Sequence, residues 1–176
     1  MMDERIIQRL YKLSSAFGSS GNEGEVREVF REETPEIPWQ TDRIGNIYAE
    51  LQGERTGPRL LLAAHRDEVG LMVQSITESG WAKFITLGSW PVTSLSAQRF
   101  RMRNQWGCDY TAVIGAVPPH FLREEERSRP IRLEDLYLDL IFADEAERRA
   151  MQIGLGDQGV PDVQTQRIGA KRVLGK

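Results

Sequence analysis

Apolar residues near the start of the chain recur at Ile6, Leu10, Leu13 and Phe17, a spacing that predicts an amphipathic helix from about Asp3 to Ala16. Ser20-Gly21-Asn22-Glu23 has the form of a capping box, so a second helix is expected to start on Ser20, with Glu23 reaching back to it. That helix would bury Val26, Val29 and Phe30 and stop at Pro35, whose ring disfavours helical backbone in the residue before it. Short strands are expected between Thr41 and Leu51, broken at Gly45-Asn46. A turn from Gly53 to Pro58 then leads into the apolar run Arg59 to Ala64, which predicts a buried strand. Up to Glu68 the pattern is α/β.

Beyond Gly70 the periodicity changes. Leu71 to Thr77 and Trp81 to Leu87 flank Glu78-Ser79-Gly80 as a hairpin, and Gln98 to Arg103 and Tyr110 to Val117 predict further strands. Pro118-Pro119 and Arg129-Pro130 bound a loop, Leu136 to Ile141 reads as a strand, and Asp144 caps a helix running to Met151. Gly154, Gly156 and Gly159 close this segment. Successive strands without helices between them imply a small antiparallel barrel or sandwich.

Composition narrows the function classes. The 176 residues are 40% hydrophobic and 28% charged, which is enough apolar material for a core and lacks the signature of disorder. The longest apolar stretch, Leu60 to Ala64, is far too short to span a bilayer, so no membrane partner is expected. Met1-Met2-Asp3-Glu4-Arg5 does not resemble a signal peptide, which makes the cytoplasm the default location. A single cysteine, Cys108, allows no intrachain disulfide and no thiolate cluster. With a net charge of −3 and no basic block, nucleic acid is not an expected partner; Arg99, Arg101 and Arg103 alternate with Phe100 and Met102 as one solvated strand face does.

The chemistry concentrates where the apolar run ends, at His65-Arg66-Asp67-Glu68. In an extended chain His65 and Asp67 point to one side and Arg66 to the other. One imidazole nitrogen of His65 could then bind a metal while the Asp67 carboxylate accepts the proton of the other, which fixes the tautomer and raises ligand basicity. The position also suits a ligand site, since open α/β sheets bind ligands beyond the carboxyl ends of their strands. Glu68 reads as a loop carboxylate, and His120, the only other histidine, as a structural or interface residue. Glu124-Glu125-Glu126 between Arg123 and Arg127 reads as a solvated face with local ion pairs.

Ala63-Ala64-His65-Arg66-Asp67-Glu68-Val69-Gly70-Leu71-Met72-Val73 resembles the first metal-binding segment of the dinuclear metalloaminopeptidases that include glutamyl aminopeptidase, deblocking aminopeptidases and the tetrahedral (TET) peptidases. Five further segments resemble the same family in the same order. They are Leu13 to Gly18 with Ser20 to Glu23, Asp42 to Asn46, Ala97 to Phe100, Ile114 to His120, and Glu134 to Asp139. There are departures: Phe17 stands where relatives carry proline, Arg66 where methionine is common, and Ser89-Trp90-Pro91 in a glycine-richer segment.

The resemblance implies part of a metallopeptidase α/β catalytic domain (residues 1–68), an inserted antiparallel β-barrel dimerisation domain (69–165), and the start of a return to the catalytic domain (166–176). It implies His65 as a metal ligand and Asp67 as the catalytic aspartate that orients it. A complete site would hold two divalent ions, zinc or cobalt, which activate water against a peptide bond while a glutamate moves the proton. The bridging aspartate, the Glu-Glu pair, a further carboxylate and a final histidine would all fall after Lys176, as would the elements expected to cover the strand Arg59 to Ala64. The chain by itself is therefore expected to be inactive on peptides. It is also expected to form at least a homodimer through the barrel, with Trp90 and Phe121 in the contact. Two other readings follow: a non-catalytic assembly fragment or subunit, and a glycoside hydrolase of the endoglucanase type. The last has the least support, since nothing singles out a pair of acid and base carboxylates.

Overall fold

The computed structural model describes residues 4–54, 57–170 and 172–176. They form two compact units, one built from residues up to 67 together with 164–176, the other from 68–163.

The first unit opens with helices α1 (Glu4–Ser15) and α2 (Gly24–Glu33). Ile7, Phe17 and Val26 are buried, and Glu33 at the end of α2 is bonded by Arg9 at 3.1 Å and by Lys12, both on α1. Helix α2 ends where Pro35 requires it to: Thr34 caps the last turn, its backbone N–H and hydroxyl both donating to the Phe30 carbonyl. Its start differs from the expected capping box, because the cap residue is Glu23 and no side chain caps the first turn. The Ser20 hydroxyl donates to Asp67 instead, and the Glu23 carboxylate accepts the Gly21 N–H at 2.7 Å. The strands expected between Thr41 and Leu51 shrink to a two-residue antiparallel pair, β1 (Gln40–Thr41) and β2 (Ile47–Tyr48), around the Asp42–Asn46 turn.

The buried strand expected from Arg59 to Ala64 is absent. Residues 58–67 join no strand of the described residues, and Leu60, Leu61 and Leu62 are 82%, 87% and 85% exposed. A strand persists only when its backbone N–H and C=O groups find a ladder partner. This segment has none among the described residues, so its apolar side chains have no sheet face to join.

The second unit is a closed barrel in the order β3-β4-β7-β6-β5-β8. Its strands are β3 (Gly70–Ile76), β4 (Trp81–Leu87), β5 (Arg99–Arg103), β6 (Asp109–Ala116), β7 (Leu136–Asp139) and β8 (Gln158–Pro161). The expected hairpin is β3-β4, with Gly80 in the left-handed region of its turn. Burial alternates along β4 to β6 as a two-residue period demands, with Ala82 and Phe84, Phe100 and Met102, and Tyr110, Ala112 and Ile114 inside. Leu71, Val73, Leu95, Leu136, Leu138, Leu140 and Ile153 complete the core. Within the loop expected after Pro118 the chain makes a short helix, α3 (Glu124–Arg127), and α4 (Glu145–Ala150) begins as expected, the Asp144 side chain accepting the Glu147 N–H at 2.8 Å.

Closure depends on β8, which pairs with β5 on one side and β3 on the other. The sequence pattern did not mark it as a strand, because Gly159 and Pro161 are poor strand formers. Both residues have a place here. A Cβ on Gly159 would lie 2.2 Å from the sulfur of Met102, its register partner, so glycine is what lets Met102 fill the narrow interior. Trp90, expected at an oligomer contact, is turned inward: its Nε1 donates to the Gly70 carbonyl at 3.1 Å and its ring packs edge-on against Phe100. Phe121 is 74% exposed. A buried tether at the β5-β6 turn comes from Asn104, whose Oδ1 accepts from the N–H groups of Trp106 and Cys108 while its Nδ2 donates to the Met151 carbonyl.

After the barrel the chain returns to the first unit as the antiparallel pair β9 (Gln166–Ile168) and β10 (Arg172–Leu174). Arg167 pairs with Glu4 at 3.1 Å and the Lys176 ammonium donates to the Ala16 carbonyl at 3.3 Å. No helix among the described residues is long and apolar enough to cross a membrane.

The Gly159 packing is testable in urea denaturation. Gly159→Ala is expected to lower barrel stability by about 1–3 kcal/mol, the usual cost of overpacking a filled core. Gly53→Ala, where an added Cβ meets nothing within 4 Å, is expected to change little.

Candidate metal site

Two short segments of the first unit converge on a third, His65-Arg66-Asp67. The first is the Ser20–Glu23 turn, which Gly21 makes possible with a φ of +84°. The second is the Asp42–Asn46 loop. Asp42 Oδ1 accepts the N–H groups of Ile44 and Asn46 at 3.0 and 2.9 Å, and Oδ2 accepts the Asn46 side-chain amide at 2.8 Å. These donors, the Asn46 amide foremost, hold the Asp42 carboxyl below its ordinary pKa. Gly45 sits at φ +93°, a conformation side chains resist, and its carbonyl accepts from Arg66 Nη2. The third segment is the site itself.

His65 and Asp67 are brought together. His65 Nδ1 lies 3.1 Å from Asp67 Oδ1 and 3.0 Å from the Asp67 backbone carbonyl. Both oxygens only accept, so the neutral ring carries its proton on Nδ1, and Nε2 holds the lone pair. The contact is made by an irregular segment rather than by two residues on one face of a strand. Asp67 Oδ2 in turn accepts the Ser20 hydroxyl. That hydrogen bond is the main reason the Asp67 carboxyl is shifted below its ordinary value, partial burial opposing it and the His65 contact assisting. His65 is 86% exposed along its side chain and Asp67 37%, whereas Arg66 between them is only 15% exposed. Asp67 is therefore an ionised, fixed acceptor that offers His65 Nε2 to solvent.

The other candidates lie elsewhere. Glu68 is half-buried and belongs to the second unit, and His120 is exposed there with its ring 4.3 Å from that of Phe121. Glu126 accepts the Arg123 N–H at 3.0 Å within its own turn, in keeping with a local role for the acidic run. Among the described residues, no group of three or more His, Cys, Asp or Glu side chains is placed to hold a metal ion. A single imidazole with an oriented carboxylate fits one ligand of a metal centre and its supporting partner, but not a whole centre. Two contributors carry no distinct signal in the sequence. The pattern at Ser20 predicts a helix cap, although Ser-x-x-Glu offers a free hydroxyl equally well, and Gly45 predicts only a break between strands.

Residues 45–176 match the family model described as M42 glutamyl aminopeptidase. The chain belongs to this family of peptidases, and its α/β fold with an antiparallel barrel is the fold class that the sequence implied. The glutamyl aminopeptidase of Lactococcus lactis subsp. cremoris is 32% identical over 164 residues, covering 91% of this chain and 46% of that protein. Among solved structures, the TET aminopeptidase of the marine sediment archaeon Thaumarchaeota archaeon SCGC AB-539-E09 matches with a TM-score of 0.85 at 31% identity, over 94% of this chain and 46% of its own. The TET1 peptidase of Pyrococcus horikoshii, described as able to assemble into a tetrahedron or a large octahedral shell, matches with a TM-score of 0.77 at 29% identity, over 92% of this chain and 48% of its own. The chain spans about half the length of the curated relatives it matches.

The Ser20 contact predicts a pH effect. A depressed carboxylate stabilises the fold above its unfolded pKa of about 3.9 and ceases to do so as the pH falls through its lower folded value. Ser20→Ala removes the largest cause of the depression. The Asp67 carboxyl midpoint, followed by carbon NMR, is expected to move up toward that of an ordinary aspartate, and the Asp67 share of the stability lost on acidification to shrink with it, through a lower stability at neutral pH. An unmoved midpoint would assign the depression to His65.

Proposed function

We propose that this chain is part of a metal-dependent aminopeptidase that removes residues from peptide N-termini, with His65 ligating a divalent ion through Nε2. Asp67 holds the His65 ring in the Nδ1–H tautomer, which leaves the Nε2 lone pair for the ion. The observation that carries the reading is the Ser20-Asp67-His65 hydrogen-bond chain, found in a member of a glutamyl aminopeptidase family. Bound zinc or cobalt would supply Lewis-acid activation of water and of the scissile carbonyl. What the chain's own residues contribute is an oriented imidazole and a fixed negative charge behind it.

A catalytic metal normally needs at least three protein ligands, so the chain by itself is expected to bind the ion weakly and to turn over nothing. In calorimetry, zinc or cobalt should bind the wild-type chain and bind His65→Ala more weakly, while His120→Ala binds as wild type. Amino-acid p-nitroanilides should be hydrolysed no faster than by a heat-killed sample. Equal metal binding by wild type and His65→Ala would overturn the assignment of His65, and metal-dependent turnover by the chain alone would overturn the division of labour.

A second part of the proposal is self-association through the barrel, in the cytoplasm by default. Val117 is 48% and Phe121 74% exposed on one loop, an apolar surface of the kind that identical chains bury in two-fold contacts. The described assembly of the Pyrococcus horikoshii TET1 peptidase into closed shells agrees with such a role. Light scattering of the wild type is expected to give at least a dimer, and Phe121→Asp to shift it toward monomer. Trp90→Asp is the wrong probe for this interface, since Trp90 packs on Phe100 and would unsettle the barrel instead. A wild type that is monomeric at high concentration would remove this role from the barrel.

A further inference from the structure

Arg66 lies between His65 and Asp67 in the chain and is the most deeply buried of the three. A guanidinium between a metal-ligand candidate and its supporting carboxylate needs partners of its own. The side chain is 15% exposed, and its Nη2 donates to the Gly45 carbonyl and lies 3.9 Å from Glu23. Gly45 is left-handed and its loop is tied to Asp42 by three further hydrogen bonds, so this carbonyl is a fixed point. Glu23 is fixed as well, because it accepts the Gly21 N–H at 2.7 Å. Arg66 Nη1, by contrast, is buried without a hydrogen-bond partner among the described residues, a desolvation cost that methionine would not carry. Nη2, through the Gly45 carbonyl and the Glu23 carboxylate, offsets that cost.

His65 and Asp67 lie in a segment without a ladder, so the usual means of fixing two side chains i and i+2 on one face is missing here. Ser20 restrains Asp67 from one side. Among the described residues, no comparable hydrogen bond holds the His65 backbone, and the nearest restraint is the neighbouring Arg66. We infer that Arg66 is a positioning residue whose hydrogen bond to the Gly45 carbonyl locks the His65-Asp67 turn, and so fixes which ring nitrogen of His65 is offered to a metal ion. This inference rests on the reading of His65 as a ligand, but the lock itself exists without metal and is measurable without it.

The test is nitrogen NMR of the histidine rings in the metal-free chain at a pH where both are neutral, with His120→Ala used to assign the two. Wild-type His65 is expected to be predominantly the Nδ1–H tautomer, whereas His120 should show the Nε2–H excess of a free side chain. Arg66→Met should drive His65 to that free pattern with the helical circular dichroism unchanged, and Arg66→Lys, which keeps one charged donor for Gly45, should restore most of the Nδ1–H form. If Arg66→Met loses its helical signal, Arg66→Gln, too short to reach Gly45, takes its place with the same two outcomes. A Met or Gln chain that retains the wild-type tautomer overturns the inference, as does a folded Lys chain that behaves like Met. Zinc titration separates this from the parent reading. Where wild type binds, Arg66→Met should bind about tenfold more weakly, the usual loss for a supporting partner of a ligand. A wild type that shows the lock but no zinc shift at His65 defeats the ligand assignment and leaves the positioning intact.

Discussion

Backbone hydrogen bonding between strands decides what is ordered in this chain. In the barrel every strand has a neighbour on both sides, because β8 bridges β5 and β3 and no edge is left open. With the ladder closed, alternate side chains have a shared interior, and Leu71, Phe100, Met102, Leu136 and Leu138 reach zero exposure. In the first unit the ladders are two-residue and three-residue pairs that support no comparable interior. There the strongest hydrophobic run of the sequence, Leu60-Leu61-Leu62, stands in solvent. Hydrophobicity alone did not make it a strand.

That contrast explains which elements are legible in the sequence. Period-two alternation is a local signal, and where local partners exist it was sufficient: the β3-β4 hairpin, β5, β6 and β7 all lie within about two residues of their expected bounds. The Asp144 cap was readable for the same reason, since its bond to the Glu147 N–H spans one turn. β8 was not, because its residues are strand-like only in the company of β3 and β5, and a glycine chosen to make room for Met102 looks like a loop residue in isolation. Trp90 failed in the opposite direction. A tryptophan beside a proline reads as surface until a carbonyl, that of Gly70, is found for its Nε1.

The candidate site was legible in its residues and not in its mechanics. His65 and Asp67 meet as their spacing suggested, but the strand geometry invoked for them is absent. Hydrogen bonds from distant turns do the work instead, through Ser20 to Asp67 and through Arg66 to Gly45. Such contacts carry no periodicity. Their trace in the sequence is only that Ser20-Gly21-Asn22-Glu23 and Asp42 to Asn46 are turn-forming segments whose polar groups local structure does not exhaust.

A site assembled this way has a particular energetic character. Each tether is a single hydrogen bond, worth on the order of 1 kcal/mol net and more where a charge takes part. Ser20 and Gly45 hold the adjacent residues Asp67 and Arg66 from different loops, so loss of either tether leaves the other to hold a two-residue turn against thermal motion. Their effects on His65 should therefore be coupled rather than additive. The exposed leucines just before the site contribute nothing to that order. Orientation of the imidazole is thus a property of the polar loops around Asp67, and the apolar run Leu60 to Ala64 only delivers the chain to it.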